Sequence, residues 1–167
     1  MIVALDVHCR AGGARAAALL FDRWEDELPE SVRTKWIEVV APYEPGAFYK
    51  RELPCLLALL QELPLAGLEA IVIDGFVYLG ADRPGLGARL HSALAAAVPV
   101  IGVAKTRFHG CADVAVPLLR GNSHSPLWIT AAGMEAAAAA GCIARMAGPH
   151  RMPALLTQVD RETRNDD

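Results

Sequence analysis

Residues 2–21 read IVALDVHCRAGGARAAALLF, and the fold follows from them. Ile2–Val7 is short, apolar and rich in β-branched residues, which predicts a buried strand. Gly12-Gly13 marks a turn, and Ala14–Phe21 predicts a second strand that completes a hairpin. Working outward, Trp36–Val40 (WIEVV) predicts a third strand, which Pro42 and Pro45 terminate. An antiparallel three-strand meander therefore opens the chain.

Beyond the meander, helix and strand alternate. Phe48–Leu63 has apolar residues at helical spacing (Leu53, Leu56, Leu57, Leu60), with Pro54 tolerable only in the first turns. Ala70–Ile73 (AIVI) is a fully apolar strand that ends at Asp74-Gly75. Gly85–Ala97 reads as a helix and Val98–Val103 as a buried strand. Val114–Leu118 and Pro126–Thr130 read as short strands. Ala131–Ala147 reads as a helix closed by Gly148-Pro149, and Pro153 opens a last short helix. A meander followed by such alternation predicts an α/β fold, a mixed sheet with helices on both faces. Functional groups are expected at the strand ends and in the crevice beside them.

The 167 residues suit a single domain, at about 100–200 residues per domain. An apolar share of 53% with 21% charged residues excludes a disordered chain. The alanine runs are too short and too weakly apolar to span a bilayer, so no membrane partner is expected. Cys9, Cys55, Cys111 and Cys142 form no CxxC pair, which argues against a zinc site or a disulfide framework. The N-terminus lacks a charged leader and carries Asp6 inside its apolar stretch, so a cytoplasmic location is expected. Net charge is −3, but it is unevenly spread. Between Arg83 and Arg151 lie seven Arg or Lys residues against only Asp113 and Glu135, a segregation compatible with one basic face.

Asp6 and Asp74 are acids set in, or at the end of, apolar strands. An unpartnered buried carboxylate costs several kcal/mol, so such groups are held by a cation or by firm hydrogen bonds. On adjacent strands the two would repel, and a divalent ion would relieve the repulsion. Oxygen ligands without cysteine favour Mg²⁺ or Mn²⁺. The plainer alternative is that Asp6 caps a turn and Asp74 opens one through Asp-Gly. Glu52 complements a helix N-terminus. Lys105 is either an ordinary strand-end lysine after IGVA or a group that reaches a phosphate, and His150 is either a plain surface histidine in its loop or a proton donor or acceptor. Tyr43, in the proline-bounded loop APYEPG, either stacks on bases or folds back onto the core.

Together these stretches resemble the endonuclease V family: LDV at 5–7, PYEPGAFYKRELPCL at 42–56, VIDG at 72–75, IGVAKT at 101–106 and HRMP at 150–153. They run in the family's order over nearly the whole chain. The resemblance implies a ribonuclease H-like fold and a metal-dependent nuclease that cuts DNA or RNA on the 3′ side of inosine, one nucleotide further on. It implies Asp6, Glu52 and Asp74 as the Mg²⁺ or Mn²⁺ ligands, with Lys105 and His150 completing the catalytic group. It implies Tyr43 as the wedge that replaces a displaced base, and Gly46 with the backbone of Gly102, Val103 and Ala104 as the pocket for the flipped hypoxanthine. Taking a base out of the stack requires such a wedge and pocket.

The chain departs from the family pattern in places. FVYLGADRPGLG follows the IDG motif and keeps Arg83 and the glycines, but it loses the family's histidine there. Ala131-Ala132-Gly133-Met134 replaces a serine–proline–glycine–histidine turn, and Ala154-Leu155-Leu156 replaces a glutamate–proline–threonine. These changes touch the substrate surface more than the carboxylates. They leave two alternatives open: an inosine- or structure-binding module without cleavage, and a nuclease of the same fold acting on another nucleic-acid structure.

Overall fold

The computed structural model describes residues 1–38 and 41–166. Strands β1 (Ile2–Arg10) and β2 (Gly13–Phe21) pair antiparallel around a tight turn, with Arg10 opposite Gly13. Gly12 takes φ +85° there, a conformation that glycine adopts without penalty. β3 (Ser31–Ile37) pairs with β2 from Ser31 opposite Leu20 to Ile37 opposite Ala14. The third strand thus begins before Trp36, and residues 39–40 of the expected strand lie outside the described residues. β3 sits at the sheet edge and is largely exposed, so its SVRTKWI text lacks the apolar run that marks a buried strand.

Helix α1 (Tyr49–Leu60) leads to β4 (Ala70–Asp74), which runs parallel to β1. A small hairpin of β5 (Tyr78–Gly80) and β6 (Arg83–Pro84) follows, then helix α2 (Leu86–Ala93). β7 (Val100–Ala104) is parallel to β4. β8 (Val116–Leu118) and β9 (Leu127–Ala132) complete the sheet, with β9 antiparallel to both β7 and β8. Helices α3 (Ala136–Arg145) and α4 (Ala154–Arg164) close the chain. The strand order is β3-β2-β1-β4-β7-β9-β8, the ribonuclease H-like arrangement.

Two expected helix boundaries shift. Ala131 and Ala132 belong to β9, opposite Ile101 and Val100, and Gly133 at φ +81° ends the strand before α3 begins. Alanine has no strong strand preference of its own, and pairing with β7 decides the outcome. Similarly, α2 ends at Ala93, because Ala95 and Ala96 take positive φ of 53° and 57°.

The sheet divides the core into two layers. Val3, Leu5, Ala16 and Ala18 face α1 and α2 through Leu56, Leu59, Leu60 and Leu90. Ile2, Ala4, Ala17 and Leu19 face α3 and α4 through Ile143, Leu155 and Val159. Burying a Leu or Ile side chain of this kind contributes about 1.5–3 kcal/mol. β2 supplies four fully buried alanines (Ala14, Ala16, Ala17, Ala18), so the helices pack close to the sheet on both sides. Among the described residues, no helix is long and apolar enough to cross a membrane.

Candidate active site

The parallel ladder of β1 and β4 runs in register from Ile2–Ala70 to Leu5–Ile73. The next residue on each strand is an acid, Asp6 and Asp74. Neighbouring strands lie about 4.8 Å apart, and alternate side chains share a face. Ile2, Ala4, Ala70 and Val72 pack towards α3 and α4, so the same alternation turns Asp6 and Asp74 towards α4. Asp74 ends β4, and Asp6 lies midway along β1 at the point where its parallel pairing with β4 stops; open α/β sheets place their ligands beside such strand ends.

Two further acids close on this pair from opposite layers. Glu52 projects from the first turn of α1, and Asp160 from α4. Asp6, Glu52, Asp74 and Asp160 line one polar cavity of about 240 Å³, together with His8 and Arg164. A second cavity, about 130 Å³, lies between the sheet and α4, where Asp6, Asp74, Asp160 and Lys105 meet Met152 and Leu156. Asp160 was not among the residues singled out from the sequence. It sits in a helix otherwise rich in charge, beside Arg161 and Glu162, and accepts from Arg164 Nε at 3.1 Å. The available signal was its place next to Val159, at the edge of the inward face.

The electrostatics are those of crowded anions. Burial, then repulsion from Asp74, raises the Asp6 carboxyl to about 7, against the pull of the Val7 N–H. Burial and Asp74 likewise raise Glu52 to about 7, with Arg51 opposing. Asp74 is raised by burial and by Asp160, while Lys105 and the Gly75 N–H lower it. Asp74 keeps accessible surface because three cavities meet at its side chain. The protons belong to the group rather than to one acid, and near neutrality it carries less than its full charge.

Such a group suits a hard divalent cation in charge and in donor type. Among the described residues, no group of three or more His, Cys, Asp or Glu side chains is placed to hold a metal ion. Mg²⁺ does not require such a group, since it keeps several waters and uses one or two carboxylates. The donor set therefore fits the ion through its oxygens and its excess negative charge.

A larger cleft of about 590 Å³ opens beside the carboxylates. Glu52 and Asp74 form one wall, and Gly46, Phe76, Arg83 and Phe108 help to form the others. Phe76 and Phe108 meet edge to face at 6.2 Å, and Arg83 lies 5.3 Å from the Phe108 ring. Arg89 stacks 3.7 Å from the Tyr49 ring, and its Nε is buried without a partner. Aromatic faces beside guanidinium groups suit a planar base attached to a phosphate.

The endonuclease V family model matches residues 1–153. This chain belongs to the endonuclease V family. It is 34% identical over 116 residues to endonuclease V of Xanthomonas oryzae pv. oryzae (strain PXO99A), a match covering 68% of this chain and 45% of that relative. The chain thus spans about half the length of the curated relatives it matches. In structure it resembles endonuclease V of Streptomyces avermitilis, with a TM-score of 0.82 at 24% identity over 98% of this chain and 79% of that one. It also resembles Ciona intestinalis endonuclease V, solved with a 24mer DNA containing an inosine followed by a ribo-adenosine (TM-score 0.80, 15% identity, 98% and 84% covered). At these identities the structural likeness establishes the fold.

The remaining residues that the endonuclease V resemblance implied are placed as follows. Tyr43 is 56% exposed and meets Phe48 edge to face at 5.2 Å, so it stands out from the core. Gly46, at φ +76°, reaches the large cleft. Gly102 and Ala104 are buried in β7 and line neither this cleft nor the carboxylate cavities, and Val103 reaches only the 130 Å³ cavity. Gly102 instead serves close approach. A Cβ there would meet Gly75 O at 2.5 Å, and both Val77 N and Thr130 Oγ1 at 2.8 Å. The 74–77 turn folds onto that bare position, with the Gly75 N–H donating to Val103 O (2.9 Å) and the Val77 N–H to Thr130 Oγ1 (2.7 Å). The cleft is lined at this end by Gly75, Phe76 and Gly85. His150 is exposed and lines a separate cavity with Thr157, Arg161 and Glu162. The structure does not bring it to the carboxylates.

Proposed function

We propose that this chain is a metal-dependent endonuclease that hydrolyses a phosphodiester on the 3′ side of inosine in DNA or RNA. The observation that carries the reading is the meeting of Asp6, Glu52, Asp74 and Asp160 around one cavity, beside a cleft walled by aromatic and guanidinium groups. Asp6, Glu52 and Asp74, with Asp160 beside them, would hold Mg²⁺ or Mn²⁺. The bound ion would supply an activated water and offset charge on the phosphate. Lys105 would add its positive charge at the phosphate from the end of β7. His150, exposed on the loop before α4, would act on the strand from outside the carboxylate cavity. Tyr43 would occupy the gap left by the flipped base, and the cleft beside Gly46, Gly75 and Phe76 would receive it.

The test uses matched single-stranded DNA and RNA oligonucleotides, each with and without one inosine, with Mg²⁺ or Mn²⁺ and Asp74→Asn as control. Metal-dependent cutting on the 3′ side of inosine, absent in the control, is the expected result. Tight binding without cutting would replace the reading with a binding module. Cutting indifferent to inosine would replace it with a nuclease for another structure.

A further inference from the structure

Arg120 follows β8 and is buried, at 8% exposure. Its guanidinium donates to backbone carbonyls. Nη2 donates to Met146 O (2.6 Å) and Gly148 O (3.3 Å), and Nη1 to His150 O (2.7 Å) and Arg151 O (3.2 Å). A buried guanidinium is costly to place, and only a fixed fork of donors can engage four carbonyls of one loop at once. Met146 closes α3, so the negative end of that helix also faces the cation. The next residue, Gly121, lies so close to the loop that a Cβ would meet Pro149 O at 2.6 Å.

The loop that Arg120 fastens leads to two parts of the site. Arg151 Nη2 donates to the carbonyl of Lys105 at 2.6 Å, tying the loop to the end of β7. Lys105 lines the same cavity as Asp6, Asp74 and Asp160 and lowers the Asp74 carboxyl. Directly after the loop, Pro153 starts α4, which carries Asp160. We propose that Arg120 is a positioning residue that holds the 146–151 loop and, through the Arg151–Lys105 bond, sets Lys105 against the carboxylates. The proposal rests on the nuclease reading for its kinetic consequence, and its geometric consequence can be measured without it.

The experiment compares wild type, Arg120→Lys, Arg151→Gln and the double variant, with Arg120→Ala for chemical rescue, below their melting temperatures. Lysine keeps the charge but not the fork. Arg120→Lys is expected to lower kcat on an inosine oligonucleotide by about 10- to 100-fold, with KM changed by less than about twofold. Arg151→Gln should have a similar effect, and the double variant should be no worse than either single one. The chain has three lysines, Lys35, Lys50 and Lys105, and acylation by an amine reagent is read on each by mass spectrometry. The rate at Lys105 should change in both single variants while Lys35 and Lys50 stay constant. Millimolar guanidinium should restore the Arg120→Ala variant towards wild type in both readouts. Unchanged kcat, unchanged Lys105 labelling or independent effects in the double variant would each overturn the proposal. If wild type cuts nothing, the nuclease reading falls, while the labelling and the guanidinium rescue still decide the role of Arg120.

Discussion

Asp6 and Asp74 occupy equivalent positions on adjacent parallel strands, each one residue past the last registered pair, Leu5 and Ile73. Two acids placed so cannot both ionise freely, and Glu52 and Asp160 add to the strain from either layer. Asp74→Asn removes one charge and keeps the shape. It should abolish metal-dependent cleavage while raising the melting temperature of the metal-free protein near pH 8. A variant that melts lower than wild type there would count against mutual repulsion at the site.

The same crowding sets a pH dependence. Asp6 and Glu52 rise from ordinary values of 3.8 and 4.5 to about 7 in the fold. Between those limits the folded state holds more protons than the unfolded chain, so stability falls as pH rises. The metal-free protein should be most stable below about pH 4–5 with respect to these two groups, and lose that contribution as pH passes through about 7. Thermal melts from pH 5 to 8.5, with and without Mg²⁺, check this. The ion should flatten the slope, because it favours the charged carboxylates.

Asp160 is the acid that the sequence concealed, and it makes a separate prediction. Asp160→Asn should weaken Mn²⁺ binding measured by calorimetry and reduce cleavage, with little effect on α4, whose contacts run through Leu155 and Val159. Unaltered ion affinity would assign the acid to its ion pair with Arg164 instead.

Gly102 is held by steric need. Gly102→Ala would press a methyl group into the Gly75 carbonyl and the Val77 amide, costing about 1–3 kcal/mol and shifting the Asp74 backbone with them. Urea denaturation measures the first effect. Nuclease assays on the folded fraction should also show a loss.

Tyr43→Ala should barely alter stability, since the ring is exposed and its edge-to-face contact with Phe48 is worth about 0.5–1.5 kcal/mol at most. Affinity for an inosine duplex should fall more than affinity for a single strand, because only the duplex needs its gap filled. Competition binding by fluorescence anisotropy separates the two.

Much of this architecture was legible in the chain. β1, β2, β4 and β7 are apolar on both faces because helices cover both, and such runs are unmistakable. Asp6 and Asp74 stood out for the same reason, as charges in text that otherwise excludes them. β3 was partly hidden because an edge strand needs no apolar face, and the hairpin of β5 and β6 is too short to show a period. Ala131 and Ala132 looked helical because alanine leaves the choice to its neighbours. His150 carried a plausible motif, yet its position depends on loop geometry that spacing does not encode.

The alanines of β2 have an effect beyond packing. Glu52 arrives from one helical layer and Asp160 from the other, so the sheet between them acts as a spacer. With Ala16 on one side and Ala17 on the other, that spacer is thin. Enlarging either residue would widen the gauge between the two layers and draw those acids apart. The spacing of the acids is therefore calibrated by small side chains of β2, one of which, Ala17, is the cross-strand partner of Asp6.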